Sequence, residues 1–591
     1  MNVAAALKIL QCAAERREDP PYSILLVCGF TPLHAATFLA AHLQQRLTDC
    51  KVSVRTGLFG DAVGTLEAAA AQPAGLEAVA ITLEWQDLDP RLGFRSTGGW
   101  GPSVAADIQS VVRTTLRRMA IAIEGLTERV RVVCSLPTLP LSPLFHTPGW
   151  QMAETELELE QELLDFAGRC AHRRGFFLVN RQRLAEESPA AQRFDFKSDL
   201  LTGLPYTVAH ADRLAGALAR LLLPPAPKKG LITDLDDTLW HGVVGEIGSE
   251  HVSWDLSSHH QLHGLYQKLL AAFSEEGVLL GIASKNDPQV ARRALERPDL
   301  LLPVDRVFPM EIHWNAKSGS VERILRTWNI GADSVVFVDD SPMELAEVAA
   351  AHPGIECVRF PAGDAAAGYG LLTRLRDLCG KPRLAQEDAI RTGSIRREAA
   401  FQKAAQDEAL GEVFLQQAEA TISVDFSLSP NDPRTLELVN KTNQFNLNGV
   451  RHTEADWNGR LARPGAVLMA VSYRDKFGPL GKIAVMEGRQ ERDTLYVGTW
   501  VMSCRAFSRR IEHHCLKLLL ERCGAEKIVF DFIPTPKNGP LREFLAGITG
   551  GSPEGCVAIT RRQFAETCPG LYHHVEERQP GQPAWTGSQR G

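Results

Sequence analysis

Leu231-Ile-Thr-Asp-Leu-Asp-Asp-Thr-Leu-Trp240 is the stretch that decides how the chain is read. A basic hinge, Lys228-Lys229-Gly230, leads into its apolar start, and Asp234 and Asp236 follow with one residue between them. Side chains alternate along an extended strand, so residues two apart share a face. Both carboxylates then emerge at the carboxyl end of one strand, where they can meet one divalent cation. Clustered acids repel each other unless a cation or a shared proton compensates. Hard oxygen ligands suit Mg²⁺, which keeps several waters and also binds phosphate oxygens. Alone, the pair is equally compatible with a solvated acidic turn, so its partners decide.

Toward the C-terminus the partners come in order. Val278-Leu-Leu-Gly-Ile-Ala283 has the pattern of a buried parallel strand, with Ser284-Lys285-Asn286-Asp287 at its end. Ser284 offers a hydroxyl to a phosphoryl oxygen, and Asn286 or Asp287 caps the next helix. Lys317, in Trp314-Asn315-Ala316-Lys317, opens the helical run 321–328 and supplies a point charge for a phosphate. Ser334-Val-Val-Phe-Val338 forms another buried strand, which ends in Asp339-Asp340-Ser341-Pro342. The strand ends thus present acid, hydroxyl, amine and acid. In open α/β sheets the ligand crevice lies there.

This order resembles the haloacid dehalogenase superfamily of phosphoryl-transfer enzymes. The resemblance makes Asp234 the nucleophile, Asp236 the acid/base and Thr238 the supporting hydroxyl of the first motif. Ser284 fits the second motif, Lys317 the third, and Asp339 with Asp340 the fourth. The runs Asp234–Glu246, Ala283–Asp287 and Val338–Pro342 are similar to the FkbH-like branch. That branch is associated with loading a glyceryl unit from 1,3-bisphosphoglycerate onto the phosphopantetheine of an acyl carrier protein in polyketide or related biosynthesis. The resemblance implies Mg²⁺ held by Asp234, the Asp236 backbone carbonyl, Asp339 and Asp340, with Thr238, Asn286, Arg505 and Arg509 facing substrate. It implies an aspartyl-phosphate at Asp234, a small phosphorylated glycolytic metabolite as donor and a carrier protein as partner. A cysteine often precedes the second-motif serine in that branch, where this chain has Ala283; Cys357 and Cys504 are the other thiols to weigh. A plain small-molecule phosphatase, or a carrier-binding acyltransferase scaffold, remains as the alternative.

At 591 residues the chain exceeds one hydrophobic core. Charged residues make up 23% and the formal net charge is −7, so nothing invites nucleic acid. The 12 cysteines contain no CxxC pair, which argues against zinc sites and a disulfide framework. No apolar run reaches the ~18 residues of a membrane span, and a cytoplasmic setting is expected.

The expected fold is multidomain α/β. Residues 1–223 alternate short apolar strands (Ser23–Cys28, Ala78–Leu83, Val130–Cys134, Phe176–Asn180) with helices, the signature of a parallel sheet covered on both faces. This part resembles SGNH esterases, in a degenerate form. Gly29-Phe30-Thr31 stands where that fold carries Gly-Asp-Ser, and His210 lacks an aspartate three positions earlier. A serine-type nucleophile needs a base held by a third group. Thr31 and His34 are therefore taken as cap and turn residues, and the domain as a binding or scaffolding unit.

Three prolines within 224–227 mark the first boundary, and residues 229–380 form the haloacid-dehalogenase-like core. Its insert between first and second motifs is too short for a large cap. Glu246, Trp254, His259 and His260 lie in it, either lining an entrance or forming a solvated loop. A polar connecting helix is expected over 381–417, which leads to a domain over 418–575 resembling acetyltransferases of the GNAT type. Asn440–Asn446, Asp475–Gly478, Ser503–Arg505 and Ile533–Asn538 carry that resemblance. The run Ala506-Phe-Ser-Arg-Arg510 lacks the glycines that let a backbone approach a pyrophosphate, which argues against tight coenzyme-A binding. Arg505, Arg509 and Arg510 either meet a phosphopantetheine phosphate or form a solvated basic turn. Residues 576–591, rich in Gln, Gly and Pro, have the composition of a disordered tail.

Overall fold

Three sheets organise the chain in a computed structural model. It describes residues 1–15, 19–96, 102–143, 146–384, 395, 415–416, 419–428, 433–442, 445–475, 478–503, 506, 509–535 and 538–578. Two compact units divide it, Met1–Pro225 and Ala226–Gly591. The connecting helix expected over 381–417 lies almost wholly outside the described residues.

In the first unit β1 (Pro21–Val27), β2 (Lys51–Thr56), β3 (Ala78–Thr82), β4 (Arg131–Ser135) and β5 (Phe176–Leu178) form a sheet ordered β2-β1-β3-β4-β5. All its pairings are parallel. The two-residue alternation sorts the strands between two cores. Val79, Ile81, Val132 and Cys134 face helices Ala105–Thr127 and Glu154–Ala171. Ala78, Ala80 and Val133 face helices Leu33–Gln44 and Val208–Leu222. Fully burying one such branched side chain stabilises by about 1.5–3 kcal/mol, so both faces must be covered. Strand β2 was not legible in advance: only Val52 of its six residues is buried, as befits an edge.

The second unit opens with β6 (Gly230–Thr233), β7 (Leu279–Ser284), β8 (Val307–Ile312), β9 (Val335–Asp339) and β10 (Glu356–Arg359), ordered β10-β9-β6-β7-β8 and parallel throughout. Leu231, Leu280, Ile282, Val336 and Val338 face one core, and Ile232, Leu279, Ala283, Val335 and Phe337 the other. The strand carrying the decisive motif is thus central and buried on both faces. Gly230 begins it because the indole of Trp328 lies there; an added Cβ would come within 2.6 Å of that ring. These parallel, doubly covered sheets confirm the α/β, multidomain fold class.

The third sheet is mixed and has eight strands: β11 (Thr421–Asp425), β12 (Phe445–Asn446), β13 (Ala466–Asp475), β14 (Gly478–Glu491), β15 (Thr494–Met502), β16 (Lys527–Phe532), β17 (Gly555–Thr560) and β18 (His574–Glu577). Helix Ile511–Cys523 joins β15 to β16, and that pair is parallel from Thr494↔Lys527 to Val497↔Phe530. Beyond Val497 the partner of β15 changes to β12, through Asn446↔Val501 and Phe445↔Met502. Leu447 N–H donates to Trp500 O, and Ile533 N–H donates to Leu447 O. The chain's own residues 445–447 therefore fill the space between β15 and the segment after β16. Strand β18 pairs with β11 as far as Glu577, so the expected tail begins too early: Glu576 and Glu577 belong to the sheet, because their backbone groups complete its edge.

Candidate active site

The turn after β6 places the acids. Asp234 N–H donates to Val338 O, which ties the strand end to β9. Asp237 takes a left-handed conformation (φ 49°), one that a short polar side chain tolerates, and its Oδ1 accepts from Gly242 N–H at 2.8 Å. That turn leaves Asp234 buried at 6% exposure and Asp236 partly open.

Lys317, 4% exposed at the start of helix Lys317–Trp328, bridges two acids. Its Nζ lies 2.6 Å from Asp339 Oδ2 and 3.1 Å from Asp234 Oδ1. Burial works against the ammonium, but the two carboxylates outweigh it and hold its pKa above the ordinary value. Burial raises Asp234 to about 6, with Lys317 opposing the rise and Asp339 adding to it. Burial likewise raises Asp339 and Asp340.

Asp234, Asp339 and Asp340 can each bring a carboxylate oxygen within 4.8 Å of the others, the one such grouping of metal-capable side chains among the described residues. Three carboxylates against one ammonium leave two negative charges uncompensated in a buried crevice. Asp234 Oδ1 is buried and meets the Lys317 ammonium at 3.1 Å. A hard divalent cation fits this donor set in charge and in ligand type.

The remaining motif residues hold this set in place. Asp236 sits apart from the metal-capable grouping, and three donors fix its carboxylate. Trp240 Nε1–H and Val244 N–H reach Oδ1 at 2.9 and 3.1 Å, and Asn286 Nδ2 reaches Oδ2 at 2.9 Å. Asn286 also donates to Ser284 Oγ at 3.2 Å. It thus links the first and second motifs, while Asp287 alone caps helix Pro288–Leu295. Sequence reasoning left that choice open, because both residue types cap helices. It missed Trp240 and Val244, which a tight turn four and eight residues past Asp236 returns to that acid.

Thr238, expected to face substrate, is fully buried, and its Oγ1 accepts from Asp340 N–H at 3.1 Å. It positions the fourth motif instead, since the turn folds it under the crevice. In the short insert, Trp254 is core, 4% exposed with the Arg297 guanidinium 4.3 Å from its ring centre. His260 stacks on His241 at 3.6 Å and meets Ser253 through Nδ1. Glu246 lies in a one-turn helix, Val244–Ile247. Cys357, on β10, has its thiol pKa raised by burial and by nearby Glu356 and Asp339, the reverse of an activated nucleophile. Cys504 and Arg505 lie outside the described residues. Arg509 is 2% exposed with its guanidinium 5.5 Å from the centre of the Tyr473 ring, inside the third domain rather than on a surface a phosphate could reach.

The carboxyl edge of the first sheet is built differently. His210, 0% exposed, meets Thr138 Oγ1 through Nε2 and Ser188 Oγ through Nδ1, both at 2.9 Å. Glu84 accepts from Thr138 Oγ1 and Tyr206 OH at 2.6 Å each, and from the Thr138 and Leu139 amides. Asp87 accepts from Gly29 N–H and Glu84 N–H. Thr31 donates through Oγ1 to Thr202 O and through N–H to Gly203 O, while Pro32 takes the cap position of the next helix. Thr31 is therefore a turn residue.

No family model matches the chain, and no curated protein matches it. Among solved structures it is similar to the N-terminal part of the protein BF1531 from Bacteroides fragilis, which contains a phosphatase domain and is complexed with Mg. That likeness has 17% identity and a TM-score of 0.51, over 65% of this chain and 100% of that one. An inhibitor-bound aryl esterase of M. smegmatis aligns at 18% identity over 34% of this chain and 100% of its own, with a TM-score of 0.21. Est24, a carbohydrate acetylesterase of Sinorhizobium meliloti, aligns at 16% identity over 34% and 96%, with a TM-score of 0.20. The first likeness establishes a shared fold. No helix among the described residues is long and apolar enough to cross a membrane.

Proposed function

We propose that the chain is a Mg²⁺-dependent phosphatase and acyltransferase of the haloacid-dehalogenase type. Its donor is an acyl phosphate such as 1,3-bisphosphoglycerate, and its acceptor is the phosphopantetheine thiol of an acyl carrier protein. The observation that carries the phosphoryl half is the gathering of the Asp234, Asp339 and Asp340 carboxylates, with oxygens within 4.8 Å of one another, around the single buried ammonium of Lys317. Asp234, Asp339, Asp340 and the Asp236 carbonyl would hold the metal, which neutralises phosphoryl oxygens when bound.

Lys317 and Ser284 hold the phosphoryl group for in-line attack by Asp234. The Asp234–phosphorus bond forms as the bond to the acyl oxygen breaks, and the acyl group leaves as a carboxylate. Asp236, fixed by Trp240, Val244 and Asn286, then takes a proton from the water that opens the aspartyl-phosphate. Loading a carrier consumes a different bond. There the thiolate attacks the acyl carbon and the phosphate bound to it leaves, which gives a 3-phosphoglyceryl thioester. The glyceryl unit results when Asp234 takes the C3 phosphoryl group in the same in-line way, Asp236 protonating the departing C3 oxygen and then activating the water that frees the phosphate.

The N-terminal and C-terminal domains serve in this reading as binding units. The matched groups around His210 support that for the first, and the filled space beside β15 supports it for the last. The test is incubation with Mg²⁺, 1,3-bisphosphoglycerate and a panel of holo carrier proteins, followed by intact-mass analysis. A glyceryl mass on the carrier is expected. Phosphate release without any carrier adduct would make the chain a plain small-molecule phosphatase, and a glyceryl mass that still appears with Asp234→Asn would move the chemistry to the C-terminal domain.

A further inference from the structure

Two charged side chains beside the catalytic set take no part in the chemistry above. Lys285 follows Ser284 directly, and its Nζ lies 2.8 Å from Glu344 Oε1. Glu344 sits in the first turn of helix Pro342–Ala351, which follows β9. Strands β7 and β9 are the two hydrogen-bonded neighbours of β6. An ion pair from the end of β7 to the helix after β9 therefore crosses the carboxyl end of β6, the strand that presents Asp234. Asn286 turns the other way, to Asp236 and Ser284. Lys285 and Asn286 thus bound different sides of one crevice.

The pair is unequal. The lysine side chain keeps 34% of its surface and that of Glu344 only 11%, and Glu344 Oε2 is buried with no hydrogen-bond donor. A helix N-terminus accounts for an acid at this place, but not for an acceptor left empty. Glu347, which accepts from Ser318 N–H at 3.0 Å, is in side-chain contact with Glu344, and two ionised carboxylates supply no donor to each other. Buried polar atoms are normally matched, and an unmatched one beside a crevice marks a place for a ligand's donor. A solvent-reachable ammonium is a flexible point charge for an anion.

We propose that Lys285 and Glu344 are the specificity-determining pair of the phosphoryl site. Lys285 binds a second anionic group on the substrate, outside the phosphoryl group that is transferred, and Glu344 Oε2 accepts a hydrogen bond from a hydroxyl next to it. The substrate class is then a hydroxylated molecule with two anionic groups, and the inference rests on the phosphoryl site proposed above.

The test compares kcat/KM for 1,3-bisphosphoglycerate and for acetyl phosphate, which has neither the second anion nor the hydroxyl. Wild type, Lys285→Gln, Lys285→Arg and Glu344→Gln are measured, with matched thermal melts. The preference for the larger substrate should fall at least tenfold in Lys285→Gln, mainly through KM, and should return in large part in Lys285→Arg. Glu344→Gln should lower the same ratio; if it melts early, the lysine variants decide alone. Equal losses on both substrates would reduce the pair to a structural strap, and an unchanged ratio would remove it from recognition; either overturns the proposal. If wild type releases phosphate from neither acyl phosphate, the acyl-phosphate reading fails separately. The ratio is then taken between fructose 1,6-bisphosphate and p-nitrophenyl phosphate, and the pair stands or falls on it.

Discussion

The first and second sheets share a plan: five parallel strands, helices on both faces, and polar residues gathered at the carboxyl edge. They differ in what those residues do with one another. Around His210 the ring nitrogens, the Glu84 and Asp87 carboxylates and the Thr31 hydroxyl all have partners within the unit. Around Asp234 three carboxylates gather about one ammonium, so the charges do not balance. Clustered acids repel one another unless a cation compensates. A fold that gathers three of them is arranged for a cation that arrives later. The same fold plan thus makes an edge of paired acids and histidine in one domain and a charge-imbalanced edge in the other, and the distinction lies in net charge rather than in motif residues alone.

The largest effect that sharpens this contrast is metal removal. Excess EDTA should abolish phosphate release, and readdition of Mg²⁺ should restore it; turnover at full speed in chelator would break the assignment. Next, Asp234→Asn removes the proposed nucleophile and one negative charge of the three-carboxylate group. It should lower phosphate release roughly 10⁴-fold or more, in a colorimetric phosphate assay. Asp236→Asn keeps its backbone carbonyl but loses the base, so an acyl phosphate should leave phosphate on Asp234 after at most one turnover. Rapid quenching and intact-mass analysis would detect that adduct, and wild-type turnover would exclude this role for Asp236. A smaller loss is expected in Asn286→Ala, whose side chain only orients Asp236 and Ser284. Removal of such a supporting group costs roughly 10–100-fold, read in the same assay.

The acids were legible in the sequence because their spacing is local. Alternation along β6 and an apolar run before each motif put Asp234, Ser284 and Asp339 at strand ends without knowledge of tertiary contacts. Lys317 was legible for the same reason, as the first residue of a helix after β8. What escaped was long-range pairing. Lys285 and Glu344 lie 59 residues apart, and neither carries a signal that would pair it with the other. Strand β2 has four polar residues among its six, and β12 is two residues long, too short for any periodicity. Thr238 and Arg509 looked like ligand contacts from their motifs; burial sends one beneath the crevice and the other into a core. The reverse error came at Glu576 and Glu577, where polar composition suggested disorder but an unpaired sheet edge recruits the backbone.

The smallest effect tests the paired edge itself, through pH. Burial, and to a lesser degree the charge of Arg193, lowers the His210 pKa to about 3, against about 6.5 for an unperturbed imidazole. A neutral ring that must charge on unfolding contributes stability that is complete above pH ~6.5. That contribution is lost as pH falls toward 3, at up to about 1.4 kcal/mol per pH unit. Asp87 runs the other way, because burial raises it to about 7, so its protonated form is favoured on folding and its contribution falls as pH rises from ~3.8 to 7. The two trends oppose each other in the wild type. His210→Gln deletes only the first. At pH 7 the variant should be less stable by about 1–3 kcal/mol, the cost of disturbing the Thr138 and Ser188 contacts. Between pH 6.5 and 4.5 that deficit should shrink and then reverse, since the wild type alone still weakens with acid. Hydrogen exchange of peptides from helix Val208–Leu222, compared between the two proteins at each pH, reads the difference directly. Aryl-ester hydrolysis should be undetectable in both. A deficit that stays constant with pH would mean the ring is not held neutral by this network, and the description of His210 as a paired, uncharged member of that edge would fail with it.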